Sequence, residues 1–346
     1  MTMSVNGTIE SVAHLEALLS EPSAPVIELM RRLDGDLIFL GVGGKIGPSL
    51  ARMARRASDS AGVSRRIIGV SRFSSSDDER YLRAHDIETV RCDLLDEEAV
   101  ANLPEVKNVV YLPALKFGSN QRAADMWAIN TWLPGLICRK YRASRMVAYS
   151  TGAVYGYTKV NGAGATEIDI PEPVGEYAMS CLGRERIFEY CSRTAGLPVA
   201  LIRLFYACEL RYGVLVDIAQ KVRRGEPIDL AMGHFNMIWQ GDNNAMTLLA
   251  LEHVASPARV FNITGPEILS VREVAAALGE RLDRAPVFCG EEMDTCCLGD
   301  ARLAHRLFGA PQMPVDCLLD WVADWVRTGG DYLGKPTHFE RRDGKY

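Results

Sequence analysis

Short apolar runs alternate with helical periods from residue 36 to residue 205, and this alternation restricts the fold more than any other feature of the chain. The runs are "DLIFLGV" (36–42), "RRIIGVS" (65–71), "IETVRCD" (87–93), "NVVYLP" (108–113), "RMVAYST" (145–151) and "PVALIRLF" (198–205). Between them lie segments with apolar residues at helical spacing, at 45–58, 77–85, 96–103, 123–142 and 174–195. Strands that are apolar on both faces must be covered on both faces. The alternation therefore predicts an α/β fold, a Rossmann-type doubly wound parallel sheet over residues 35–205. After 205 the pattern loosens. Helices are expected at 212–224, 243–254, 270–283, 300–308 and 315–327, with short strands near 227–230, 236–240, 259–263 and 286–288. These predict a smaller C-terminal α/β substrate lobe over 206–330, interleaved with the first domain and capping the carboxyl edge of the sheet. Residues 1–34 read as an extension of two short helices, and 331–346 as a polar, irregular tail.

Composition narrows the class. A length of 346 residues suits one large or two intimate domains. The net charge of −5 argues against a nucleic-acid partner, which demands a basic surface. No apolar run reaches the length of a membrane span, and the N-terminus has neither the charged start nor the apolar core of a signal peptide. Nine scattered cysteines, an odd number with no CxxC pair, predict free thiols and a reducing cytoplasm. Cys296 and Cys297 follow Asp294 without a histidine at ligand spacing, so no metal site is expected.

The first strand runs into "FLGVGGKIGPSLA", where Gly41, Gly44 and Gly47 stand three apart. Such glycines permit a tight turn, a close approach to a pyrophosphate and close helix–strand packing, while the helix N-terminus faces the phosphates. A dinucleotide is the expected cofactor, with Lys45 and Ile46 of the same turn among its contacts. After the second strand an NAD-preferring site carries an acidic residue for the ribose 2′-hydroxyl. Here Ser71 and Arg72 stand there, and an arginine suits a 2′-phosphate, which favours NADP over NAD. Arg72 lying in solvent or stacked on adenine is the alternative. Asp93 and Leu94 end the third strand and are expected at the adenine, and Leu112, Pro113 and Ala114 follow the fourth.

With these pieces the chain resembles the extended short-chain dehydrogenase/reductase family, also called the NAD-dependent epimerase/dehydratase family, from about 36 to 328. "GVGGKIG" is similar to its glycine pattern, "YSTGAVYG" (149–156) to its serine/threonine segment, and "PVGEYAMSCLGRERIFEY" (173–190) to its tyrosine helix. The run "LGDARLAHRLFGAPQMPVDCLLDWVADWV" is similar to its closing helices. The resemblance implies that Thr151 holds the reacting oxygen, that Tyr177 donates and accepts the proton, and that Asn130 stands in the network behind the site. It also implies a homodimer through the helices near 123–142 and 174–195.

One departure matters most. The family pattern is Tyr-x-x-x-Lys, and here it is Tyr177-x-x-x-Cys181. The lysine binds the nicotinamide ribose and its charge favours tyrosinate, whereas a phenol alone has a pKa of about 10. Cys181 takes the lysine's place beside the cofactor, and a thiol performs neither task well. Three readings stand. Another cation substitutes, with Lys116 of "LPALKFGS" preferred over Arg184. The oxidised cofactor alone favours tyrosinate. Or hydride chemistry is lost and the protein is a dinucleotide-binding regulator.

On the substrate side, nucleotide-sugar members show an arginine before a hydrophobic–Asp segment, and here "HFNMIWQGDNNA" (234–245) has none. That favours a sugar, a sugar acid or a similar small polyol, with the nucleotide-sugar epimerase or dehydratase as the alternative. Substrate contacts are expected from Thr151, Gly152, Tyr206, Arg211, Asn236 and Trp239, and His234 and Gln240 are further lining candidates. Gly152 stands where the family's dehydratases place an acidic pair. The expected activity is that of an NAD(P)-dependent oxidoreductase or epimerase acting on a secondary hydroxyl or keto group.

Overall fold

The computed structural model describes residues 7–116 and 122–345. The two N-terminal helices are α1 (Val12–Leu19) and α2 (Ala24–Arg32). Seven strands then build one parallel sheet: β1 (Leu37–Leu40), β2 (Ile67–Ser71), β3 (Glu88–Arg91), β4 (Asn108–Tyr111), β5 (Arg145–Thr151), β6 (Val199–Leu204) and β7 (Arg259–Ile263). Helices α3 (Gly47–Ser60), α4 (Ser76–Arg83) and α5 (Glu97–Ala101) connect the first four. The helices α6 (Ala123–Trp127), α7 (Leu133–Lys140) and α8 (Gly175–Ala195) serve the next crossings. Beyond β6 come α9 (Val214–Arg224), α10 (Gln240–Leu249), α11 (Val271–Arg281), α12 (Arg302–Phe308) and α13 (Val315–Thr328).

The strand order is β7-β6-β5-β4-β1-β2-β3. The winding reverses between β1 and β4, whose partners run Leu37↔Asn108 to Leu40↔Tyr111. In such sheets ligands bind in the crevice outside the carboxyl ends at this switch point. Alternation of side chains along each strand feeds two cores. Phe39, Val110, Val147 and Ile202 face α2, α3 and α10, whereas Ile38, Val109, Ala148 and Leu201 face α7 and α8. A third core joins α9, α11 and α13 to Leu15 and Leu19 of α1.

Three sequence expectations change. The run at 259–263, expected in the lobe, pairs with β6 and completes the main sheet, with Phe261↔Ile202 in register. A short apolar run carries no mark of which sheet it joins, and the open edge of β6 supplied the hydrogen bonds. The helix expected at 123–142 contains a π-helical turn over Ala128–Trp132. Pro134 has no N–H for the Asn130 carbonyl, which accepts from Arg184 Nε instead (3.3 Å). The tail is irregular, as expected, but Thr337 and Phe339 are buried. It hydrogen-bonds Arg211 O through Leu333 N and Asp217 through Thr337 N and Oγ1, and packs Phe339 against Phe235. It ends against Val174 and Gly175 at the start of α8.

Candidate active site

The glycine turn is shaped by close contacts. Gly41 takes a positive φ of 77°, which glycine adopts without steric cost, and a Cβ there would press on Pro113. A Cβ on Gly47 would overlap the Val42 carbonyl, so only glycine lets α3 pack on β1. A Cβ on Gly44 would meet nothing nearer than Gly41 O at 3.6 Å. No side chain caps the N-terminus of α3. Open space over Gly44 and an uncapped helix start fit a dinucleotide pyrophosphate. Ser71 and Arg72 leave the end of β2, Ser71 half-buried and Arg72 exposed. Asp93 turns back to accept from Leu95 N (3.1 Å), Leu94 is buried, and Leu112 and Pro113 are half-buried beside the exposed Ala114.

A cavity of about 180 Å³ opens at the carboxyl ends of β1, β4, β5 and β6. Thr151, Tyr177, Tyr206 and Lys116 line it, joined at the glycine-turn end by Lys45 and Ile46. Tyr177 lies in the first turn of α8, just after Gly175, whose φ of 81° turns the chain into the helix. Thr151 ends β5, and its Oγ1 accepts from Ala153 N (3.2 Å). Asn130, in the π-helical turn, binds both backbone groups of Leu115 and donates to Ser180 Oγ (2.9 Å). It thereby ties the segment carrying Lys116 to the tyrosine helix.

The two cations weighed in the sequence end in different places. The Lys116 Nζ stands 5.8 Å from the centroid of the Tyr177 ring and donates to Thr337 O (3.3 Å). Burial pushes the Lys116 ammonium down to about 8, against the pull of Cys181, Cys297, Asp217 and Glu340. Arg184 is fully buried behind the site, donating to Tyr149 O (2.9 Å) and Asn130 Oδ1 (2.6 Å). Cys181 has no solvent exposure. Burial raises its thiol pKa, while Arg184, a hydrogen bond with Tyr177 and Lys116 work the other way.

Of the expected substrate contacts, Thr151 and Tyr206 line the cavity and so does Gln240. Gly152 packs against the Phe205 ring, and its carbonyl accepts from Cys297 Sγ (3.8 Å). Arg211 is turned away, paired with Glu16 (2.6 Å) and Glu209 (3.0 Å). Asn236 donates to Gly299 O (2.6 Å), Trp239 packs on Trp321 in the lobe core, and His234 lies beside Glu292 (3.5 Å). Those four carry structure rather than the cavity wall. Sequence reasoning missed Tyr155, Tyr157, Phe205, Tyr212 and Arg341, all of which line the cavity. Tyr155 and Tyr157 of "YSTGAVYGY" carried a signal, because they stand in the same short segment just after Thr151. Tyr155 is held by Arg203 (2.6 Å) and Asn262 (2.9 Å), and Arg203 pairs with the buried Glu185 (2.7 Å). Arg341 carried none.

The model of the NAD dependent epimerase/dehydratase family matches residues 37–264. The chain belongs to this family. It is thereby an NAD-dependent enzyme of the extended short-chain type. No curated protein is similar to it in sequence. Solved structures share its fold. UDP-glucuronic acid 4-epimerase from Bacillus cereus, in complex with NAD, is 16% identical, over 86% of this chain and 99% of that one, with a TM-score of 0.70. UDP-glucose 4-epimerase from Thermotoga maritima, with UDP-glucose, is 20% identical over 85% and 99%, with a TM-score of 0.69. The dTDP-glucose 4,6-dehydratase from Streptomyces venezuelae, with NAD bound, is 20% identical over 85% and 97%, with a TM-score of 0.71. Among the described residues no helix is long and apolar enough to cross a membrane, and no group of three side chains could hold a metal.

Proposed function

We propose that the protein is an oxidoreductase or epimerase that oxidises a secondary hydroxyl, or reduces the matching ketone, on a sugar, a sugar acid or a similar small polyol. The observation that carries this reading is the position of Lys116, whose ammonium lies beside the Tyr177 ring while Cys181 is sealed in the core. A cation there favours the phenolate, which the family otherwise obtains from the lysine four residues along the helix. Tyr177 then takes the hydroxyl proton, and Thr151 Oγ1 holds the reacting oxygen. Gly41, Gly44 and Gly47 hold the dinucleotide, which when bound supplies hydride exchange at its nicotinamide ring. Arg72 favours NADP, because its fork matches a 2′-phosphate.

A nucleotide-sugar substrate is the second reading, favoured by the UDP- and dTDP-sugar enzymes that share the fold. Against it stand the absence of arginine from 234–245 and a cavity of only about 180 Å³. The protein is further proposed to work in the cytoplasm as a homodimer through α6–α8, where Trp132, Tyr190 and Met179 are exposed.

The test is a screen of free sugars, sugar acids and UDP-sugars for reduction of NAD or NADP, or for epimerised product, in the wild type and in Tyr177→Phe. Turnover that disappears with the phenol supports the reading. Tight cofactor binding without turnover of any compound leaves a dinucleotide-binding regulator.

A further inference from the structure

The tail contributes one residue, Arg341, to the cavity lining, and its charge bears on what kind of molecule fits. Residues 331–345 run from the end of α13 across α9 to the start of α8. The anchors are specific. Asp217 receives the Thr337 N–H and hydroxyl, and Phe339 is buried against Phe235. Arg342 donates to Thr295 O (2.6 Å) and to Ala231 O (3.1 Å), with its guanidinium 4.2 Å from the centroid of Tyr157. A Cβ on Gly175 would lie 2.7 Å from Gly344 O, so the chain end sits directly on the helix of Tyr177. Between these anchors the exposed Arg341 lines the cavity, next in the chain to Arg342, which contacts the lining residues Tyr157 and Met232.

The charges around the cavity are one-sided. Lys45, Lys116 and Arg341 line it, and no aspartate or glutamate among the described residues does. Lys45 belongs to the glycine turn and lies over the Tyr212 ring, at 3.1 Å from its centroid, on the side where the dinucleotide is proposed to lie. Lys116 stands at the proposed reaction centre. Arg341 is left for the far end of the substrate. A guanidinium presents a planar fork of donors that matches a carboxylate on two oxygens.

We propose that Arg341, brought to the cavity by the C-terminal tail, is a specificity-determining residue that selects a small substrate carrying a carboxylate. This rests on the reading of the same cavity as the site of alcohol oxidation. The secondary hydroxyl lies at Tyr177 and Thr151, and the carboxylate lies toward Arg341. The cavity volume limits the substrate to a compact acid, since pockets for drug-sized ligands run to about 300–1,000 Å³.

The experiment measures binding, not turnover, so it stands or falls separately from the proposed reaction. With saturating NAD or NADP, whichever binds the more tightly, dissociation constants are measured by calorimetry for D-gluconate, D-galacturonate and D-glycerate. The neutral counterparts sorbitol, D-galactose and glycerol, together with D-galactose 6-phosphate, are measured in parallel. At least one acid should bind about ten-fold tighter than its neutral counterpart, the gain expected of one charge-assisted pair. Arg341→Gln should bring the two within about three-fold, and Arg341→Lys should restore part of the difference. The exposed position of Arg341 makes both variants fold like the wild type, checked by their melting temperatures. No acid bound better than its counterpart, a preference intact in Arg341→Gln, or tighter binding of the phosphate than of every acid would each overturn the proposal. Acid selection by Arg341 without hydride transfer would sink only the proposed reaction. Turnover with no selection would sink only the role of Arg341.

Discussion

At the residue scale the question is which cation serves Tyr177. Lys116 ordinarily titrates near 10.5, and in the fold it is pushed down to about 8. Its proton is therefore present below about 8 and lost above it, so its support for the phenolate fades as pH rises through that value. Lys116→Met should lower kcat about ten-fold or more at pH 7, a modest part of what acid–base groups contribute. The gap to the wild type should narrow toward pH 10, where phenols ionise unaided. A pH–rate profile checks this, and parallel profiles would remove Lys116 from the chemistry. Cys181→Lys, which restores the family pattern, should not rescue anything. Position 181 is fully buried between Lys116 and Arg184, and a third cation there lacks a partner. The variant should lose about 3 kcal/mol or more of stability in urea unfolding, with no gain in turnover.

At the scale of elements, the strand-to-helix junctions hold the site. The β1–α3 turn depends on Gly47, whose missing Cβ lets the helix start touch the Val42 carbonyl. Gly47→Ala should cost about 2 kcal/mol through overpacking and weaken dinucleotide binding, read by unfolding and by quenching of protein fluorescence on NADH addition. Unchanged affinity would mean that the helix start is not the phosphate site. The tyrosine helix is held at its other end of the network by the π-helical turn. Asn130 points inward there and binds Leu115 and Ser180, coupling the Lys116 segment to α8.

At the scale of the whole molecule, the exposed aromatic side chains of α6–α8 form the proposed contact between two copies. Trp132 and Tyr190 are both 58% exposed. The double variant Trp132→Glu, Tyr190→Glu should sediment as a monomer where the wild type sediments as a dimer, and equal masses would place the contact elsewhere. Much of this protein was legible along the chain. The alternation of apolar strands and helices specified the parallel sheet, and the glycine turn and the Thr151 and Tyr177 segments pointed to the family, because each is a pattern among neighbouring residues. Residues far apart in the chain carry no such pattern. Lys116 lies 221 positions from the Thr337 carbonyl it binds, and Arg211 lies 195 from Glu16. Only folding could bring Lys116 to Tyr177, turn Arg211 away, add 259–263 to the main sheet and bring Arg341 of the tail to the cavity. Local propensity sets the elements, but hydrogen bonding and burial between distant segments decide which side chains meet.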